Sequence, residues 1–520
     1  MRLRDSALPG SSDTVLDPEP SAEPSPAKSL ARLNASAARL RRVRWYAVRP
    51  EHGLAFDRQR LAIWFAGFAV YAAAVAIFSG GGADGTWGLW ATGGYALTAI
   101  LALRSRGFAA PLLAALVVAL LAPMAWLALR SPATADVTVV ARSAVLLLRN
   151  GSPYLPAGQL ATWQSYNPYL PAMALFGLPG AVGLPSLLGD PRPWLTAASL
   201  VLFAASFLMV APHRAPGCRD CRRMAAWCAV FAVASPVLAL PLAVGITDPP
   251  VIGLICFAFA CVARYRVTWS ARLPVLAGLA IGVACAMKAT AWPALAVIAA
   301  MIAARDGMRV AARFAAASVV TMAGLIVVTA PRLLTTPGAM FQNIVLYPLG
   351  MTAQKTPAAS PMLGHVLADT GPAGHRAAIG LLVAAGLAVA VSLVVRPPAD
   401  VAAGTRRLAI GLALMFVLAP ATRFGYFSYP VALLGWSAMT SRDRTPGGQD
   451  HSGDQPAVPG PPVEAVEPAG RGSSRREAVR MVLHYLLPER VTPSRIRLPE
   501  RVTPSRIRHR RKAGQNPMTP

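Results

Sequence analysis

Residues 278–304 read GLAIGVACAMKATAWPALAVIAAMIAA, an apolar stretch interrupted by a single charge at Lys288. The apolar run around it covers 273–304, well beyond the roughly 20 residues that one helix needs to cross a bilayer. Division into two short helices that meet between Lys288 and Trp292 accounts for that length. It also leaves Lys288 close to one membrane surface and the basic turn RDGMR, 305–309, at the other. A charge at membrane depth costs a few kcal/mol on insertion scales, and such residues mark functional sites. The stretch therefore predicts a helical membrane protein with a polar site where two half-length helices meet.

The rest of the chain has the same character. Of 520 residues, 55% are hydrophobic and 14% charged, with mean hydropathy +0.47; soluble domains carry about a quarter charged residues. Apolar segments at 61–79, 87–103, 108–129, 194–211, 224–243, 249–264, 314–331, 377–395, 408–421 and 424–440 complete an all-α, polytopic fold of about twelve spans. The stretch 170–188 is apolar too, but Pro171, Pro179, Gly180, Gly183 and Pro185 break it. It reads as an interfacial or re-entrant segment.

The net charge of +27 concentrates in the N-terminal 60 residues, the short loops of one side and the tail after Ser441. That is the bias of cytoplasmic loops and not a nucleic-acid footprint. It predicts a multi-pass plasma-membrane protein with both termini cytoplasmic and two long outer loops, 131–193 and 332–376. Three parts follow: a basic arm at 1–60, a membrane domain at 61–440 and a basic tail at 441–520. Arm and tail are rich in Pro, Ser, Gly and charge, the composition of disordered segments. The tail repeats LPERVTPSRIR at 487–497 and 498–508, too few copies for a solenoid.

On this topology Asp136, Asp248, Lys288, Arg332, Lys355 and Arg423 all fall at the outer face. Asp136 lies just past a span, at the start of the first outer loop. It reads either as a general base for a hydroxyl or as the N-cap of the helix VTVVARSAVLLLRN. Lys288, Arg423, Arg332 and Lys355 have the charge to hold a phosphate, or they snorkel to the headgroups. For Lys288 a structural ion pair with Asp248 is a further reading. His365 is an acid/base or acceptor-binding candidate, or an exposed loop histidine. Tyr154, Tyr166, Tyr169, Trp163 and Trp292 are placed to stack on sugar rings or to join the interfacial aromatic belt. Cys218 and Cys221 form one CxxC, half of a four-ligand zinc site, with no second pair beside it. No cofactor is expected, and a divalent metal is left open. The sequence has no P-loop, no GxGxxG after a strand, no HExxH and no GxSxG.

An outer-loop Asp136, a helix, then Gly151, Pro153 and Tyr154, then Tyr166, Pro168 and Tyr169 resemble the C-type polyprenyl-phosphate-dependent glycosyltransferases. The resemblance is to glycosyltransferase family 87, which includes actinobacterial mannosyltransferases. GITDPPVIGLICFAFA around Asp248, GLAIGVACAMKATAWPAL around Lys288 and LAPATRFGYFSYPVALLGW around Arg423 and Tyr426 are similar to later family segments. In that family the carboxylate follows the first span, whereas here two further helices precede it. The resemblance implies an inverting hexosyltransferase with Asp136 as its base. The donor would be a polyprenyl-phosphate sugar, most plausibly mannose, and the acceptor a hydroxyl of a cell-envelope glycolipid or glycan. Lys288 and Arg423 would hold the donor phosphate. A secondary transporter or lipid flippase is the alternative; inverted repeats would favour it, and the sequence shows no internal repeat across the membrane domain.

Overall fold

The computed structural model describes residues 57–130, 133–211, 219–335 and 337–440. The arm before residue 57, Cys218 and the tail after residue 440 with its duplicated segment lie outside the described residues. Within them the fold is a bundle of helices with no strand beyond one isolated bridge. In chain order these are α1 (Arg58–Phe78), α2 (Ala83–Arg104), α3 (Ala109–Arg130), α4 (Ala135–Asn150) and α5 (Pro191–Val210). Then come α6 (Arg219–Ala234), α7 (Pro236–Val244), α8 (Asp248–Thr268), α9 (Arg272–Met287) and α10 (Trp292–Asp306). The last five are α11 (Met308–Thr329), α12 (Leu363–Asp369), α13 (Pro372–Val395), α14 (Val401–Leu418) and α15 (Ser428–Thr440).

Eight of these are long and apolar enough to cross a membrane: α1, α3, α5, α8, α10 with its preceding turn, α11, α13 and α14. The pair α6 and α7, bent by 63°, makes a ninth if counted as one span. Helices also stand at the other expected positions, but α9 has 16 residues and α15 has 13, short of a full crossing at about 1.5 Å per residue. α2 has 22 residues, yet its Gly, Thr and Trp content keeps it out of the apolar class. The stretch 170–188 forms one short apolar helix, Pro171–Ala181, too short to cross, followed by a single helical turn at Ser186–Gly189.

Each helix break has a local cause. Proline removes one N–H and clashes with the carbonyl four residues back. In α3, Pro123 follows a π turn at Val117–Leu121, and the Ala119 carbonyl accepts instead from buried Trp87 Nε1 at 2.9 Å. Between α6 and α7, Pro236 ends the first helix, and Tyr95 OH donates to Ala234 O at 2.6 Å. Between α9 and α10, Lys288 is extended at φ −154° and ψ 134°, and Leu170 N–H captures Met287 O at 3.0 Å. In each case a carbonyl freed by the break is bonded by another part of the chain, so the breaks dock elements together.

Close packing between spans relies on small residues, as is usual where lipid supplies no hydrophobic drive. A β-carbon at Gly278 or Gly282 would come within 2.5 or 2.6 Å of Phe314 O or Ser318 O on α11. Gly282→Val should therefore force α9 away from α11, with about 1–3 kcal/mol of overpacking cost. The check is thermal stability of the detergent-solubilised protein, where Gly324→Val, with open space around it, should be near neutral. The loop orientation is testable as well. In a cysteine-free background, Gln159→Cys and Lys355→Cys, both exposed, should react with an impermeant thiol reagent in intact cells. Thr268→Cys should react only after permeabilisation, and the opposite pattern would invert the topology.

Candidate functional site

Two ion pairs lie side by side at one end of the bundle. The first begins at the N-terminus of α8, where Gly245 at φ 90° turns the chain and Asp248 opens the helix ahead of Pro249 and Pro250. A carboxylate there is favoured by the positive end of the helix dipole. Lys288, extended in the α9–α10 break, donates from Nζ to Asp248 Oδ1. The side chains are 9% and 1% exposed, so this pair is closed off. The ammonium also lies 5.3 Å from the ring centres of both Tyr169 and Tyr426, within cation–π reach.

The second pair is more open. Asp136 sits in the first turn of α4, one residue into the helix, and the N-cap position belongs to Thr134. The N-cap reading of Asp136 is thereby corrected: its carboxylate turns to other partners. Tyr169 OH donates to Asp136 Oδ1, and Arg423 Nη1 lies 3.3 Å from Oδ2. Arg423 and Asp136 are 35% and 17% exposed, which leaves room for a ligand to meet them. Burial acts against the charge of Arg423, but Asp136, Tyr426 and Tyr169 together outweigh it and raise the guanidinium's affinity for its proton.

Tyr169 joins the two pairs, with its hydroxyl on Asp136 and its ring beside Lys288. Burial first, and the Asp136 charge second, push its hydroxyl well above the usual tyrosine range, so it serves as a donor. Tyr154 supports it, donating from OH to Tyr169 O at 2.9 Å. Tyr166 is spent elsewhere, stacked at 4.2 Å and 7° on Tyr347. Beside the closed pair, the buried Asp248 carboxylate also faces Tyr429, and buried Thr247 faces Tyr169.

The other predicted site residues lie outside both ion pairs. Arg332 and Lys355 are exposed, and the Arg332 backbone N–H bonds Gly151 O at 3.3 Å. His365 Nδ1 lies 2.9 Å from Pro420 O, and its Nε2 is 3.3 Å from Asp369 Oδ2 one turn on. Trp163 and Trp292 are partly exposed. Among the described residues, no three His, Cys, Asp or Glu side chains gather as metal ligands.

Sequence reasoning overlooked Asn167 and Asn343, a buried amide pair that holds the Tyr169 loop: Asn167 N–H donates to Asn343 Oδ1 at 2.7 Å. The available signal was an asparagine within each of two otherwise apolar and aromatic stretches, SYNPYLP and FQNIVLYP.

The geometry gives Lys288 the role of Asp248's partner. Removing one member of a buried pair strands the other charge, at about 3–5 kcal/mol, whereas replacing both with apolar groups is often tolerated. Lys288→Met and Asp248→Leu should each lower the thermal stability of solubilised protein markedly, and the double variant should recover much of the loss. Simple addition of the two losses would argue against the pairing. The chain matches no family model, no curated protein and no solved structure.

Proposed function

We propose that the protein is a membrane hexosyltransferase of the C-type, working at the outer face on a polyprenyl-phosphate sugar. The observation that carries this is the Asp136 carboxylate, partly open and set between a hydroxyl donor and a guanidinium. An acceptor hydroxyl attacks the anomeric carbon and gives its proton to Asp136. The bond from that carbon to the phosphate oxygen breaks, and the polyprenyl phosphate leaves with the electron pair. Attack opposite the leaving group inverts the anomeric centre. Arg423, partly exposed beside the carboxylate, has the forked donor geometry that matches a phosphate and stabilises its developing charge. Lys288 and Asp248 hold the aromatic wall formed by Tyr169 and Tyr426. Mannose as the sugar, a cell-envelope glycolipid or glycan as the acceptor and about twelve spans belong to the same proposal, supported by the motif resemblance.

Transport is favoured by a different observation: the chain is broken at Ser235, between α6 and α7, and again at Lys288, between α9 and α10, where the buried Asp248–Lys288 pair sits. Paired broken helices around an ionisable site are a transporter feature. Sugar transfer from radiolabelled polyprenyl-phosphate-mannose by purified protein, set against lipid scrambling in proteoliposomes, separates the two. For the transferase, Asp136→Asn should insert normally and lose about 10²–10⁴-fold in turnover, the usual contribution of a general base. Normal turnover in that variant would reject Asp136 as the base.

A further inference from the structure

The second long segment, residues 332–376, grips both partners of Asp136. We propose that Asn343 is a positioning residue for the Asp136 carboxylate. It fixes Asn167, and through Asn167 the backbone of Tyr169, so that the tyrosine hydroxyl stays on the carboxylate.

The path is continuous in hydrogen bonds. Asn343 is fully buried within a π turn, Gln342–Leu346, where its Nδ2 donates to Ala339 O at 2.8 Å. Its Oδ1 accepts the Asn167 backbone N–H from 176 residues away. Asn167, also buried, donates from Nδ2 to Ser143 Oγ at 3.0 Å and Pro153 O at 3.3 Å. Its Oδ1 accepts Tyr169 N–H at 3.0 Å, which sets the register of the tyrosine whose hydroxyl reaches Asp136. A buried amide without partners costs free energy, and one with all of them satisfied holds its surroundings in a single arrangement. An apolar residue at 343 would leave the Asn167 N–H without this acceptor. π turns are rare and concentrate at functional sites.

The same segment holds the other partner. Thr422 N–H donates to Ala358 O at 2.9 Å, Ser360 N–H to Thr422 O at 3.0 Å, and Phe424 N–H to Ser360 Oγ at 3.1 Å. These bonds fix the residues on both sides of Arg423. The carboxylate's surroundings thus depend on a segment remote from it in sequence. The inference relies on the proposed transferase only for its effect on turnover.

The test has one arm that needs no activity. Full-length parent and Asn343→Ala protein in detergent are treated with tetranitromethane, and nitrated tyrosines are located by peptide mass spectrometry. Asn343→Ala should make Tyr169 several-fold more reactive, while Tyr95 and Tyr429, both fully buried, stay as protected as in the parent. Unchanged Tyr169 reactivity overturns the proposal. If all three tyrosines open together, Asn343→Ser is scored in its place by the same criterion. In the kinetic arm, Asn343→Ala should lower kcat several-fold with little change in donor KM. Combining it with Tyr169→Phe should lower kcat no further, and independent, additive losses count against the proposal. Absence of sugar transfer by the parent protein would remove the transferase reading, yet leave the nitration arm to decide the role of Asn343.

Discussion

An ammonium taken out of water costs several kcal/mol unless an anion accompanies it, and Lys288 is buried to 7% exposure. Much of the polar end of this protein follows from meeting that requirement. The anion is Asp248, at the first position of α8, where the helix dipole also favours negative charge. For the lysine to reach it, the backbone leaves the helix at residue 288, which frees the Met287 carbonyl. Leu170 N–H takes that carbonyl, and the bond brings the first long segment onto the break. Tyr169, the neighbouring residue, then lies over the ammonium.

Tyr169 carries the consequence outward, because its hydroxyl reaches Asp136. The site therefore holds two ion pairs of unlike character built on shared aromatic rings. Lys288 and Asp248 are closed off and hold structure together. Asp136 and Arg423 are partly open and are the groups a ligand would meet. One pair placed in both roles would face opposed demands, since deep burial stabilises the wall but blocks access. Separating the roles lets the buried pair stay fixed while the open pair exchanges partners.

The two long segments complete the arrangement from above the bundle end. They are joined by buried amides and by the Tyr166–Tyr347 stack, so the position of each depends on the other. Beneath them, glycines let α9 approach α11 closely, and the carbonyls freed at proline breaks are bonded by Trp87 and Tyr95. Close packing and satisfied backbone groups are what a bundle in lipid needs, because water is not there to compensate either.

The sequence by itself determined that the chain is a helical bundle with a break at Lys288, because apolar run length and an isolated charge are local properties. It also marked Asp136, Asp248, Lys288 and Arg423 as exceptional, since each is an ionisable residue at the edge of an apolar segment. It could not say which charge pairs with which: any of the cations satisfies a carboxylate equally well on paper. Only the tertiary structure decided that Lys288 takes Asp248 and Arg423 takes Asp136, because the α9–α10 break and the bridge at Thr422 aim each side chain. It also withdrew Asp136 from the N-cap, where Thr134 stands. The roles of Asn167 and Asn343 were not legible, although each asparagine stood out in an apolar and aromatic stretch. A buried asparagine differs from an exposed one only through its neighbours, and here the neighbours come from 176 residues away.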